Sequence, residues 1–167
     1  MIKPALTVIV VLLTGALGAA LFVESGFYNI GADDHHTTAV LALITQLRNR
    51  SIETRLGSIK PQLTATPAMI KSGAEHYAAL CVGCHLAPGH PKSDLRTGLY
   101  PHPPNLAQED IQESRRTFWI IKHGIKMSAM PAWGKTLDDA AIWDVVAFVR
   151  KMPSMTPEDY QQLAQRP

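Results

Sequence analysis

The two cysteines of this chain stand three positions apart, with a histidine directly behind them: Cys81-Val82-Gly83-Cys84-His85. Three chemistries use such a pair. A thioredoxin-like redox pair is expected near a βαβ pattern, and none surrounds this one. A closed zinc site needs four ligands at suitable spacing, and no second Cys/His cluster of that kind follows. The pentapeptide itself is the signature of c-type haem attachment. Each thiol adds across one vinyl group, and the adjacent imidazole is placed under the iron. Both cysteines are then consumed, and none is left for a disulfide.

The other strong constraint is at the N-terminus. Residues 4–23 carry no charge and lie between Lys3 and Glu24. An α-helix needs about 20 apolar residues to cross the hydrocarbon core of a bilayer, whereas a secretory apolar region is shorter and ends in a small-residue cleavage site. Gly18-Ala19-Ala20 offers such a site, but the length favours an uncleaved signal anchor over residues 1–23. No cysteine lies there to carry a lipoprotein anchor. Lys3 favours a cytoplasmic N-terminus under the positive-inside rule. The rest of the chain is then expected in the periplasm, where haem attachment takes place in bacteria.

At 167 residues the chain has room for one small domain and an extension. A net charge of +2 gives no case for nucleic acid or a polyacidic substrate. Residues 24–65 read as a juxtamembrane helix and linker. Phe27 and Tyr28 sit where aromatic belts sit. A helix is expected over 37–56, with Val40, Leu43, Ile44 and Leu47 on one stripe and Arg48, Arg50 and Arg55 in its second half. This helix has three available seats: the membrane surface, the domain that follows, or a partner subunit. Asp33-Asp34-His35-His36 suggests a metal cluster, but neighbours on an extended chain point to opposite faces, so a solvated turn before the helix is the simpler reading. Residues 57–66, with Pro61, read as a linker.

From residue 66 to 152 the pattern is helical. Thr66-Pro67 is a capping residue followed by proline at the first helical position. Ile70, Ala74 and Tyr77 make the apolar stripe of a helix that ends near Ala79 and delivers the cysteines. Gly73 within it costs about 1 kcal/mol against alanine, which points to close approach of another helix. Residues 86–106 are proline-rich and aperiodic, a loop long enough to need a function such as wrapping a cofactor. A second helix is expected over 108–123, stopped by Gly124. A third is expected from Thr136, with Asp139 completing a capping box and Ile142, Val145, Val146 and Val149 facing the core, up to Pro153. Residues 153–167 read as a tail. With no strand or hairpin signals, the fold class is all-α, with three main helices and long loops.

These residues resemble the class I cytochrome c family in its bacterial, membrane-anchored, monohaem form. The matching features are Gly73 and Tyr77 before the CxxCH motif, Pro104-Asn105-Leu106 after it, Met130-Pro131, and the aromatic-bearing last helix. Residues 24–65 lie outside this resemblance; more loosely, they are similar to extensions on cytochromes that serve as subunits of membrane-associated redox enzymes. The resemblance implies one covalent haem c, with His85 and Met130 as the metal ligands. It also implies that the Pro104 carbonyl receives the other ring N–H of His85 and that Leu106 packs on the haem face. By position alone Met127 competes with Met130, since both lie in the loop between the last two helices; the family pattern decides for the methionine before proline. Trp133 either covers the haem, donates to a propionate, or simply packs. His90, His102 and His123 read as solvated rather than as replacement ligands.

A His/Met-ligated iron has a raised potential and no free position for chemistry. The expected role is therefore one-electron transfer rather than catalysis on a small-molecule substrate. The chain would be tethered through residues 4–23 to membrane lipid, as a carrier or as the electron-transfer subunit of a respiratory or dehydrogenase complex. Its partners would be redox proteins or companion subunits. Lys122, Lys126 and Lys135 around the Met130 loop make either a positive docking rim or an ordinary solvated face. A reading from another class, a peroxidase-like haem enzyme or ligand-binding sensor, requires an open iron position, and Met130-Pro131 argues against it.

Overall fold

The computed structural model describes residues 2–62 and 64–165. Met1, Leu63, Arg166 and Pro167 lie outside the described residues. The chain divides into two units, one ending at His35 and the other beginning at His36. It is all-helical, and no strand occurs among the described residues.

The first unit is helix α1, Ile2–Glu24, and the turn after it. Pro4 falls in its first turn, where the missing N–H is no loss. The Thr14 hydroxyl is satisfied within the helix by the Val10 carbonyl at 2.9 Å. Residues Lys3–Glu24 have a mean hydropathy of 2.6 over the most apolar window. At 1.5 Å per residue such a helix spans a hydrocarbon core of about 30 Å. Among the described residues it is the one helix long and apolar enough to cross a membrane.

The second unit begins with α2, Thr38–Glu53, capped by the Thr37 hydroxyl. Of the three seats open to the stripe Val40, Leu43, Ile44 and Leu47, the domain that follows is not the one it takes: Leu43 and Leu47 are 67% and 69% exposed. The inward face is Leu41, Thr45, Asn49 and Ile52, of which Ile52 is buried. Asn49 Oδ1 accepts from the Arg116 guanidinium at 2.8 Å, so a polar pair helps fix the rotation. Hydrophobic periodicity cannot register such a pair.

Helix α3, Pro67–Leu80, starts as expected, with Thr66 accepting from the Met69 amide and Pro67 in the first turn. The turn α4, Val82–His85, follows directly, and α5, Asp94–Thr97, is a short turn inside the long loop. Helix α6 is Ser114–His123, six residues shorter at its start than expected, because Glu113 is the residue that caps it. Helix α7 is Asp139–Lys151, capped by Asp138 through the Ala141 amide at 2.8 Å. Thr136, the expected cap, instead donates its hydroxyl to the Trp133 carbonyl within a 3-10 turn, Trp133–Lys135. The segment expected as a tail contains α8, Pro157–Ala164, with Thr156 and Asp159 forming a capping box.

The core forms where α7 crosses α3, with α6 and α8 packed on the pair. Ala74 and Tyr77 of α3 meet Ile142, Val145, Phe148 and Val149 of α7, all buried. The Tyr77 and Phe148 rings lie 5.2 Å apart, and Phe118 stacks on Trp143 at 4.4 Å. At the Gly73 crossing, a Cβ would stand 2.1 Å from the Asp144 carbonyl oxygen. The close helix approach expected from this glycine is present. Lys71 ties α8 down: its ammonium donates to the Leu163 and Gln165 carbonyls at 3.2 and 2.8 Å. A cation there complements the helix C-terminus.

Candidate haem site

Cys81 closes α3, its amide donating to the Tyr77 carbonyl at 2.9 Å. The Cys81 carbonyl then accepts from both the Cys84 and His85 amides, at 3.0 and 2.9 Å. Positions i, i+3 and i+4 of one helical turn share a face, so the fold brings Cys81, Cys84 and His85 to one side. Neither cysteine is in a disulfide. Burial, with Cys84 adding, pushes the Cys81 thiol up to about 12.

The turn ends sharply. Leu86 sits at φ 61°, ψ −179°, a region that costs a side-chain-bearing residue about 1–3 kcal/mol. Two contacts hold it there: Leu86 is buried, and its carbonyl accepts the Tyr77 hydroxyl at 2.6 Å. Burial, followed by the neighbouring Cys81 and Tyr160, raises the Tyr77 pKa strongly. The hydroxyl therefore stays a donor.

The segment around Pro104 clasps His85 twice. The Leu106 amide donates to the His85 carbonyl at 3.1 Å, and His85 Nδ1 lies 3.0 Å from the Pro104 carbonyl oxygen. A carbonyl only accepts, so Nδ1 carries the proton and Nε2 keeps its lone pair in the neutral ring. Burial is the leading influence on the ring and lowers its pKa, outweighing the opposing Pro104 hydrogen bond. The ring is thus held neutral with one nitrogen free, the form that ligates a metal.

Two residues that sequence reasoning did not single out hold this clasp. The Ser93 hydroxyl donates to the Gly83 carbonyl, between the two cysteines. Arg96 Nε donates to the Pro103 carbonyl at 3.1 Å, one residue before the acceptor of His85. Both follow from the path of the loop, which local periodicity does not encode. Replacing Arg96 with leucine is expected to loosen the 103–104 segment. The His85 Nδ1 proton should then exchange about fivefold faster, equivalent to one hydrogen bond of ~1 kcal/mol. Proton NMR exchange measurements check this.

The second loop runs between α6 and the Trp133 turn. Gly124, at φ 65°, starts it, and a Cβ there would meet the Met130 carbonyl oxygen at 2.6 Å. The Ile125 amide donates to that carbonyl at 3.1 Å, and the Met130 amide donates to Ser128 Oγ at 3.1 Å. The loop is closed on itself by these bonds. The described methionines separate clearly. Met152 is in the core, Met155 packs beside it, and the Met69 sulfur accepts from Gln62. Met127 is fully exposed at φ 57°, whereas Met130 is half-buried against the core, as are Leu106 and Trp133.

Of the three lysines near this loop, Lys122 is paired with Asp139 at 2.6 Å. His102 Nδ1 lies 3.2 Å from the Arg96 carbonyl, and His90 meets the Tyr160 ring edge-on. The His123 ring lies 4.8 Å from Trp119. No group of three or more His, Cys, Asp or Glu placed to hold a metal occurs among the described residues. Asp33, Asp34, His35 and His36 form none, and His36 instead lies 5.6 Å from the Tyr100 ring.

The residues present fit a c-type haem: two unpaired thiols, a neutral imidazole with a free nitrogen, and a half-buried thioether in a self-closed loop. Residues 68–149 match the family model described as cytochrome C oxidase, cbb3-type, subunit III. No solved structure matches the chain. The helical fold, the Cys81–His85 turn and this match together make the chain a c-type cytochrome, preceded by an apolar helix that fits membrane anchoring.

Proposed function

We propose that this cytochrome carries single electrons through one haem c, joined by thioethers to Cys81 and Cys84. His85 and Met130 would hold its iron, with Pro104 orienting His85 and Leu106 and Trp133 packing around the group. Helix α1 holds the chain to the cytoplasmic membrane, with residues 66–152 as the haem domain on the periplasmic side. There it serves as a carrier or as the electron-transfer subunit of a respiratory or dehydrogenase complex.

The reading is carried by one observation: His85 is locked by its Nδ1–H on Pro104, with Nε2 free and both cysteines on the same turn. When bound, the haem supplies an iron that cycles between Fe(III) and Fe(II) without making or breaking substrate bonds. The protein's part is to keep His85 in one tautomer and one orientation. Residues 124–131 hold a thioether in a loop closed by the Ile125 and Ser128 hydrogen bonds, and Pro131 stiffens the chain beyond it.

Substituting Met130 with alanine tests the assignment. The ferric protein is expected to lose the weak far-red band of thioether ligation. Its reduction potential is expected to fall by about 0.1 V or more, within the roughly 0.8 V that axial ligands command. Absorption spectroscopy and a redox titration check both. High-spin iron in the native protein would instead favour the haem-enzyme or sensor reading.

A further inference from the structure

Helix α2 has a face that the second unit leaves uncovered. Leu43, Ile44 and Leu47 are 67%, 39% and 69% exposed, while Ile52 on the opposite side is buried. At 100° per residue, Arg48 and Arg50 fall roughly 80° to either side of Val40, so they border this apolar strip on both edges. Glu53, the one acidic residue in α2, lies on the far side, roughly 140° away. The strip is therefore apolar in the middle, cationic at both margins and free of negative charge. Arg50 reaches Glu53 at 3.5 Å with its side chain 76% exposed, so it remains available to another anion.

We infer that this face of α2 lies on an anionic lipid surface, its leucines in the headgroup–acyl boundary and Arg48 and Arg50 on lipid phosphates. The inference rests on α1 being the membrane anchor. Thirteen residues separate Glu24 from Thr38, a connection of at most about 45 Å at full extension, so an anchored chain keeps α2 near the bilayer. Flanking cations with an aliphatic centre are the pattern of helices that lie in the interface. The strip is also a poor protein-docking surface. It has no aromatic anchor of the kind that dominates hot spots. The opposite face stays on α6 through the Asn49–Arg116 bond, so the helix lies between the domain and the lipid.

The test uses the full haem-bearing chain in vesicles of phosphatidylcholine, with and without phosphatidylglycerol. In the holoprotein Cys81 and Cys84 are consumed, so an added cysteine is the one free thiol for a nitroxide label. Labels are placed through Leu43→Cys on the strip, Gln46→Cys away from it, and Leu12→Cys in α1. In anionic vesicles the label at 43 is expected to gain oxygen accessibility and lose accessibility to a water-soluble nickel reagent, while that at 46 does not. Arg48→Gln and Arg50→Gln should each weaken this insertion about fivefold. A label at 43 that stays in water overturns the inference. With the label at 12 in lipid, that failure is confined to α2; with the label at 12 also in water, the anchor reading fails too. Spin–spin broadening at 43 overturns the inference in favour of a second copy. Occlusion from both reagents in native membranes alone overturns it in favour of a companion protein.

Discussion

With Cys81 and Cys84 both changed to serine, the full chain is expected to keep no haem through acid–organic extraction, where the unchanged protein keeps one equivalent. A hydroxyl does not form the thioether, and without that bond haem is held only by mass action and lost on dilution or denaturation. Covalent links at these two positions would work as a very short tether, keeping His85 and the haem at high effective concentration even when the ligand bonds break. Serine is close in size to cysteine, so the packing of Cys81 against the core is nearly kept. Each single variant should retain haem through the remaining cysteine. Absorption of the extracted protein, or its mass, reads the outcome. Haem that survives extraction in the double variant would refute the attachment.

The second large effect is at Gly73. Alanine there would put a Cβ 2.1 Å from the Asp144 carbonyl oxygen, 2.6 Å from its carbon and 2.8 Å from Phe148 Cβ. Two of these three neighbours are backbone, so no rotamer change relieves the clash, and α3 and α7 must separate along the main contact of the core. Overpacking usually costs about 1–3 kcal/mol, and a helix pair forced apart belongs at or above the top of that range. The helix-propensity gain of alanine, about 1 kcal/mol, does not offset it. A chemical denaturation midpoint followed by circular dichroism should fall accordingly, with little change in slope. An unchanged midpoint would mean that the helices do not cross this closely.

The sequence signals that survived folding best were chemical ones at helix starts and at the cysteines. Thr66-Pro67 caps α3 as expected, and Gly73 marks the crossing. The same cap signature stands at Thr156-Pro157, yet α8 escaped notice because its eight residues offer only Tyr160, Leu163 and Ala164 as apolar contacts. The hydrogen bonds that Lys71 adds at its C-terminus come from 92 residues away in the chain, beyond the reach of any local pattern. The buried face of α2 was illegible for a related reason: a polar bond from Arg116 to Asn49 helps choose it, and the apolar stripe alone left three seats open. Ser93 and Arg96 were illegible as positioning residues, since only the course of the 86–106 loop brings them to the carbonyls of Gly83 and Pro103.

The two loops of the haem domain differ in how they are fastened, and this sets an order of opening. The proximal loop is bonded into the cysteine turn and α3, through Gly83, His85 and Leu86. The hydrogen bonds of residues 125–130 instead run within their own loop. In the language of cooperative substructures, the first loop shares the fate of α3 and opens only with the global fold. The second is a small foldon of its own, with its own lower free energy of opening. Native-state hydrogen exchange would then release the Ile125 and Met130 amides well before that of Leu106. The loop beside His85 is built as part of the frame, and the loop that carries Met130 as a hinged cover.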